Sequence, residues 1–482
     1  MNAPADLAAL EQRLRTDLEW LEYPPKSWVP PRFIDGRRVL DVLVVGAGMA
    51  GLVVSGYLKR LGIDNHLLLD RAAAGREGPW VTYARMETLR SPKGLTGPAM
   101  DLPALTFRAW YEARFGRAAW QALGRIPRVL WMEYLVWYRR VLGLPVVNET
   151  EIIDVAAGHD GALRVTAVRG HETTAYAARH LVLATGRDGL GGPYVPPFAR
   201  DVDRRFWAHT ADDIDFARLA GKRVAVIGAG ASAIDNAATA LEAGAARVDL
   251  LIRRADMPRI NKLTGIGSKG IVHGFSALPD AWKWRFLDYA MRAQTPPPRD
   301  STLRVSRHAN AHFHFASPIL LFADAGDHAV IETPKSRYDV DFVIFGTGFQ
   351  VDLGSRPELA RFARHIRLWS DGSLPDGADN EELANSPYLG DAFEFLERQP
   401  GSCPALSRIH CFNFPATLSH GKLTGDIPAI SEGGARLAQG IARRLFVADR
   451  EAHFRNLEAY DTPELQGDEW TDADAATVGM NR

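Results

Sequence analysis

Leu7, Leu10, Leu14, Leu18 and Leu21 recur at three- and four-residue intervals, a spacing that predicts an amphipathic helix over residues 4–22. Pro24, Pro25, Pro30 and Pro31 then impose an extended connector. From Val39 to Val45 the chain is rich in Val and Leu, as a buried strand is, and Gly46-Ala47-Gly48-Met49-Ala50-Gly51 ends it. Helical spacing follows to about Arg60, and a second strand, His66 to Leu69, stops at Asp70. The stretch 42–58 is nearly long enough to span a membrane, but Gly46, Gly48, Gly51 and Gly56 interrupt it. A span needs about 20 predominantly apolar residues, so this reads as soluble structure.

The pattern repeats. Arg223 to Ile227 is a strand, Gly228-Ala229-Gly230-Ala231-Ser232-Ala233 a turn, a helix runs to about Ala243, and Val248 to Ile252 is the next strand. A third match to the glycine pattern, Gly265 to Gly270, follows no strand and is expected to be a flexible loop. Leu181 to Gly186 and Asp341 to Gln350 are apolar runs stopped by glycine, as central parallel strands are.

Strand, glycines, helix, strand and acid form a dinucleotide fingerprint in its structural context. The first glycine makes a tight turn, the second admits the pyrophosphate, and the third lets helix pack on strand. Unpaired N–H groups at the helix start, from Met49 and Ala50 onward, face the phosphates. Asp70, with Arg71 beside it, is placed to accept from a ribose hydroxyl. In the repeat, Ala233 stands for the third glycine and Arg253-Arg254 replaces the acid, which favours a 2′-phosphate and hence NADPH over NADH. The fold class expected is α/β: two Rossmann-like dinucleotide-binding domains, the NAD(P)H domain inserted into the FAD domain. The expected limits are a helix and connector over 1–37, FAD-binding parts over 38–200 and 340–482, and the NAD(P)H-binding domain over 201–339.

Composition narrows the function. With 57 basic and 58 acidic side chains the net charge is −1, and no basic run marks a nucleic-acid surface. Two cysteines, Cys403 and Cys411, cannot build a CxxC redox pair, a Cys-based zinc site or a disulfide framework. With no secretory signal pattern, a cytoplasmic setting is expected. A small-molecule substrate is expected, with no nucleic-acid or membrane partner; a homodimer stays open.

Two fingerprints joined to Phe345-Gly346-Thr347-Gly348-Phe349 resemble the class B flavin-dependent monooxygenases: flavin-containing monooxygenases, Baeyer–Villiger enzymes and N-hydroxylases. Glu77-Gly78-Pro79-Trp80 resembles their GGxW segment beside the flavin, and Asp341 through Phe349 their interdomain linker, with Gly346 in place of Ala. The resemblance implies flavin contacts for Trp80, Gly348 and Asp426, the last in Gly425-Asp426 before a helix over about 429–446. The family's F-x-G-x3-H-x3-W/D motif is half kept: His209 and Asp213 fit, while Asp203 and Arg205 replace Phe and Gly, which weakens a Baeyer–Villiger assignment. His209 reads either as a catalytic residue or as an ordinary core histidine. By register with Lys93, Arg90 takes the place of a family Asn near the reacting position, to hold an anionic or carbonyl-rich planar substrate, to help polarise the peroxide, or to form a structural salt bridge.

What the resemblance implies is FAD reduced by NAD(P)H and reacting with O2 to give a C4a-(hydro)peroxyflavin that transfers one oxygen. Bacterial FAD-dependent urate hydroxylases are among the similar compact enzymes, and a urate anion suits Arg90. N-hydroxylation, Baeyer–Villiger oxidation, a two-nucleotide flavin reductase and a non-catalytic flavin redox sensor are the alternatives. His308, His312 and His314 lack the carboxylate or cysteine partners of a metal site, so no metal is expected.

Overall fold

The computed structural model describes residues 4–158, 160–187, 189–375 and 377–471. Two sheets with the same parallel strand order carry the fold. In the first, β1 (Leu40–Val45) lies between β2 (His66–Leu69) and the carboxyl half of β6 (Glu172–Leu183). Beyond β2 is β3 (Val146–Val147), and beyond β6 is β12 (Ile409–Cys411). β4 (Glu151–Ala157) and β5 (Leu163–Arg169) extend the amino half of β6 as antiparallel strands. In the second sheet β8 (Arg223–Ile227) lies between β9 (Arg247–Leu251) and β11 (Phe342–Phe345). β10 (Ala311–His314) flanks β9, and β7 (Trp207–His209) flanks β11. In both sheets the first strand has its chain successor on one side and a returning strand on the other. Ligands of open α/β sheets bind beyond the carboxyl ends of strands at such a switch point.

Burial explains the elements. Val42, Leu43 and Val44 are fully buried, because helices cover both faces of the parallel strands. On one face lies α2 (Met49–Arg60), which buries every residue from Met49 to Leu58. It is crossed by α7 (Ile430–Ala448) at a glycine: a Cβ on Gly434 would stand 2.4 Å from Val53 Cγ1. The amino-terminal helix α1 (Pro4–Trp20) ends before Leu21, which is exposed, while Leu14 and Leu18 join the core. Among the described residues no helix is long and apolar enough to cross a membrane.

Two expectations are corrected. The strand at 342–345 belongs to the second sheet, so the chain does not return to the first at residue 340. Its register is fixed by pairing with β8 and by Asp341, which accepts from the Arg223 N–H at 2.7 Å and from its guanidinium at 2.8 Å. Only after Gly348 does the chain leave, pairing Phe349–Val351 with Gly191–Pro193. The third glycine match is not a loop: Lys262–Ile266 is a 3-10 turn, and Lys269–Gly274 is a short helix whose Ser268 hydroxyl accepts from Ile271 N–H.

That segment begins a strap between β9 and β10 that includes α5 (Asp280–Ala293). Its Phe275, Trp284 and Leu287 share one buried cluster with Trp369, Leu383 and Leu418, which come from the chain after β11. Ion pairs Lys269–Glu432 and Arg292–Asp379 tie its rim, and Tyr388 donates to Asp280 at 2.7 Å.

Candidate active site

The first cradle is made by the turn after β1. Gly46 has φ +98°, and a Cβ there would lie 2.5 Å from the Ala184 carbonyl oxygen at the end of β6. A Cβ on Gly51 would lie 1.9 Å from the Gly46 carbonyl oxygen, so no larger residue fits the helix this close to the turn. Gly48 starts α2 without a side-chain cap, and helical bonding begins at Leu52 N–H to Gly48 O. The N–H groups of Met49, Ala50 and Gly51 are thereby left for an anion. The Asp70 carboxylate accepts from Ala47 N–H at 2.7 Å and Ala72 N–H at 2.8 Å, one on each oxygen, which leaves each oxygen a further lone pair for a ribose hydroxyl. Arg71 beside it is exposed.

Over this turn passes the loop 77–80, with Gly78 Cα 3.8 Å from where a Gly48 Cβ would be. Glu77 anchors it: the buried carboxylate accepts from Gly75 N–H, from Asn148, and from Arg139 on α3 (Arg128–Leu142). Trp80 presents a buried indole N–H that has no partner among the described residues. Trp131, Trp137 and Tyr138 of α3 are buried in the core, and Trp137 also lines a pocket with Trp110, Arg114 and Arg140. Two backbone cradles that only glycine permits, uncapped helix donors, a carboxylate with spare lone pairs and an unpaired indole N–H together fit a dinucleotide carrying a flavin.

The second cradle copies the first with one exchange. Gly228 has φ +125°, and its Cβ would lie 2.6 Å from the Gly346 carbonyl oxygen, the counterpart of Ala184. Gly230 starts α4 (Ala231–Glu242) uncapped, with Ser232 exposed at the opening. Where the first turn has Gly51 and Ala184, this one has Ala233 and Gly346: a Cβ on Gly346 would stand 2.5 Å from the Ala233 Cβ. The methyl group lost from one partner is carried by the other. At the end of β9, Arg253 is exposed and has no hydrogen bond or ion pair among the described residues, whereas Arg254 donates to Arg292 O at 2.7 Å.

Asp426 caps no helix with its side chain; it is exposed, 3.4 Å from Lys422 Nζ, at the 3-10 turn that leads into α7. Arg90 is exposed and donates to Pro296 O of the strap at 2.8 Å, while its own carbonyl accepts from Arg125. Partial burial and the neighbouring Arg125 cation lower its pKa, and Asp426 opposes them. Asp426 also lies in the field of Arg187, a cation that sequence reasoning missed.

His209 does not join them. It is 1% exposed; its Nδ1 accepts from Ala211 N–H at 3.1 Å, so the proton resides on Nε2, which lies near the Gly348 carbonyl without a well-formed hydrogen bond. Its ring packs edge-on against Phe349, 5.7 Å between centroids, and burial lowers its pKa. The neutral, enclosed ring packs beside the linker at Gly346-Thr347-Gly348, surroundings that suit the core-histidine alternative. His314 is committed to Asp249 at 2.7 Å, and among the described residues no group of three His, Cys, Asp or Glu side chains could hold a metal ion.

Besides Arg187, Glu77 and Asn413 escaped the sequence reading. Asn413 is fully buried: its amide donates to Thr185 Oγ1 at 3.1 Å, its carbonyl accepts from Thr424 at 2.7 Å, and its side-chain oxygen accepts from Cys411 Sγ. It ties the Thr-Gly turn after β6 to the turn that carries Asp426.

Residues 43–264 match the pyridine nucleotide-disulphide oxidoreductase family. Over 463 residues the chain is 40% identical to the FAD-dependent urate hydroxylase of Xanthomonas campestris pv. campestris, covering 96% of this chain and 98% of that one. It is 31% identical over 209 residues to indole-3-pyruvate monooxygenase YUCCA6 of Arabidopsis thaliana, 41% of this chain and 45% of that one. Among solved structures, the ornithine hydroxylase of Pseudomonas aeruginosa superposes with TM-score 0.65 at 16% identity, over 84% of this chain and 100% of that one. The L-lysine 6-monooxygenase of Pseudomonas syringae does so with TM-score 0.65 at 18% identity, over 84% and 99%.

Proposed function

Since the chain belongs to the family of FAD-dependent monooxygenases represented by the Xanthomonas urate hydroxylase, an enzyme group that uses FAD and NAD(P)H, we propose that it hydroxylates urate or a closely similar planar anionic heterocycle. The observation that carries this reading is identity at 40% running through 96% of the chain, so both cradles and the cleft between them are included. When bound, FAD and NAD(P)H would supply the redox chemistry, hydride transfer and activation of O2 for insertion of one oxygen atom.

The chain's residues bind and orient. Gly46, Gly48 and Gly51 with the α2 N–H groups take the flavin dinucleotide's pyrophosphate, Asp70 its ribose, and Trp80 Nε1 a flavin acceptor. Gly228, Gly230, Ser232 and Ala233 take the nicotinamide dinucleotide. Arg253, a cation at the end of β9 without a partner among the described residues, supports NADPH over NADH. Asp426, on the turn before α7, and Gly348, on the linker, would help hold the flavin. Arg90 holds the strap against the flavin-side loop through Pro296, which keeps water from the cleft. The free thiols Cys403 and Cys411 support a reducing, cytoplasmic setting.

The test is reduction of the holoenzyme by NADPH without oxygen, then an oxygen pulse with urate, other purines, amines and ketones. Urate-dependent, stoichiometric oxygen consumption with hydroxylated product is expected. Oxygen consumption indifferent to every purine, or product from an amine alone, overturns the proposal.

A further inference from the structure

Arg187 follows the Thr185-Gly186 turn at the carboxyl end of β6, beside the first cradle, and Gly186 there has φ +84°. Its guanidinium carbon lies 3.9 Å from the centroid of the Phe414 ring, a stacking distance. Among the described residues it makes no hydrogen bond and no ion pair. It is solvent-accessible yet enclosed, at the mouth of a narrow crevice lined by Leu190, Phe349, Glu382 and Phe414. Burial lowers its pKa, while the charges of Glu382 and Asp426 and the Tyr83 phenol oppose the shift. An arginine keeps its proton in such a place, so the crevice holds a permanent cation whose five donors meet no acceptor among the described residues.

The guanidinium is open to solvent, so a ligand can take its donors without displacing a partner among the described residues. The aromatic face of Phe414 fixes its plane and leaves the edge of the fork free. A fork of parallel N–H donors matches a planar oxyanion through two hydrogen bonds. Arg187 also stands next to the turn Asn413 ties to Asp426, so it faces the same edge of the cleft as Asp426.

We propose that Arg187 is the anion anchor for the substrate, binding the oxyanion edge of the heterocycle through a bidentate contact while Phe414 holds the guanidinium in plane. This rests on the urate reading above. A pyrophosphate oxygen of either cofactor presents similar chemistry, and the experiment separates the two.

Parent, Arg187→Lys and Arg187→Gln holoenzymes are compared for flavin content, for anaerobic flavin reduction by NADPH, and for urate KM and kcat as functions of pH. Expected are unchanged flavin content and NADPH reduction. In R187Q the urate KM rises at least tenfold; in R187K it rises less, because a point charge replaces the fork. The parent KM worsens as pH falls through the first ionisation of urate, and R187Q loses that dependence. An unchanged KM with an unchanged pH profile in R187Q overturns the assignment, as does lost flavin or a raised NADPH requirement, which would make Arg187 a cofactor ligand. If R187Q fails to fold, R187K decides by the same measurements. A parent enzyme inert toward urate refutes the substrate reading, a failure distinct from an active parent whose variants bind urate unchanged.

Discussion

Exchange of a methyl group between Ala233 and Gly346 makes the second cradle testable in a way the first is not. Replacing Gly346 by Ala places a Cβ 2.5 Å from the Ala233 Cβ and 2.8 Å from its Cα. Carbon atoms rest about 3.5–4.0 Å apart, so α4 must retreat by about 1 Å. Overpacking of this kind costs about 1–3 kcal/mol, which for a chain of 482 residues lowers the melting temperature by about 1–3 °C. Retreat also withdraws the helix donors from the nicotinamide dinucleotide, and a misplacement of about 1 Å can cost up to about 100-fold in rate. The NADPH KM and the rate of anaerobic flavin reduction should therefore suffer by about tenfold or more, with flavin content unchanged. Ala233→Gly alone should cost about 0.5–1 kcal/mol as a glycine inside a helix. Combined with Gly346→Ala it removes the worst contact but leaves the one at 2.8 Å to the backbone. The double variant should therefore recover more than half of the lost stability and reduction rate, a coupling of about 1 kcal/mol. Stopped-flow reduction and thermal melting of all four proteins read this out. A G346A protein that melts and reduces like the parent, or losses that simply add in the double variant, would refute the reciprocal packing.

Arg253→Ala should raise the KM for NADPH about tenfold while leaving NADH nearly unchanged, with a smaller effect for Arg254→Ala, whose side chain is held by Arg292 O; steady-state kinetics with both coenzymes decide. Truncating Glu77 to Ala leaves Arg139 and Asn148 without their buried acceptor and should cost about 3 kcal/mol in urea unfolding, together with weaker flavin retention. His66 is neutral and buried, its pKa pushed down to about 4 by burial, with Nδ1 donating to Ile63 O and Nε2 accepting from Ser55 at 2.8 Å. Its folded pKa lies below the unfolded value, so between about pH 6.5 and 4 the unfolded chain binds the extra proton. Stability then falls on acidification by about 1.4 kcal/mol per pH unit from this residue. His66→Gln should flatten the dependence by that amount, and an unaltered slope between pH 6.5 and 5 would contradict it.

Local chemistry made most of the frame legible. The strands at 66–69 and 223–227 and the helix starting at Met49 lie where periodicity and glycines put them. The reason is that a buried parallel strand, a positive-φ glycine and an uncapped helix each leave a mark within a few residues. Pairing leaves no such mark: nothing in DFVIFG says whether it adds to β1's sheet or β8's, and its place beside β8 rests on Arg223 meeting Asp341 from far away in sequence. The Gly265–Gly270 segment looked like a loop because the cluster with Trp369 and Leu418, on which the following residues Ile271 and Phe275 pack, is assembled from far along the chain. His209 had catalytic spacing, yet spacing carries no information on enclosure. Arg187 was within reach: it is the first ionisable residue after a strand-ending Thr-Gly at a switch point. Glu77 and Asn413 were not, since an acid in a glycine loop and an Asn after a Cys take their meaning from hydrogen bonds that only the fold creates.

The strap between β9 and β10 has a further consequence for how the protein comes apart. Each sheet has its own core, but the cluster of Phe275, Trp284 and Leu287 with Trp369, Leu383 and Leu418 belongs to both, since half its members come from each side. If the second sheet were to melt alone, Trp369, Leu383 and Leu418 would be stripped of cover and the first would lose part of its own packing. Unfolding of one sheet therefore carries a cost in the other, and a ligand bound in either cradle is expected to stabilise part of its neighbour as well.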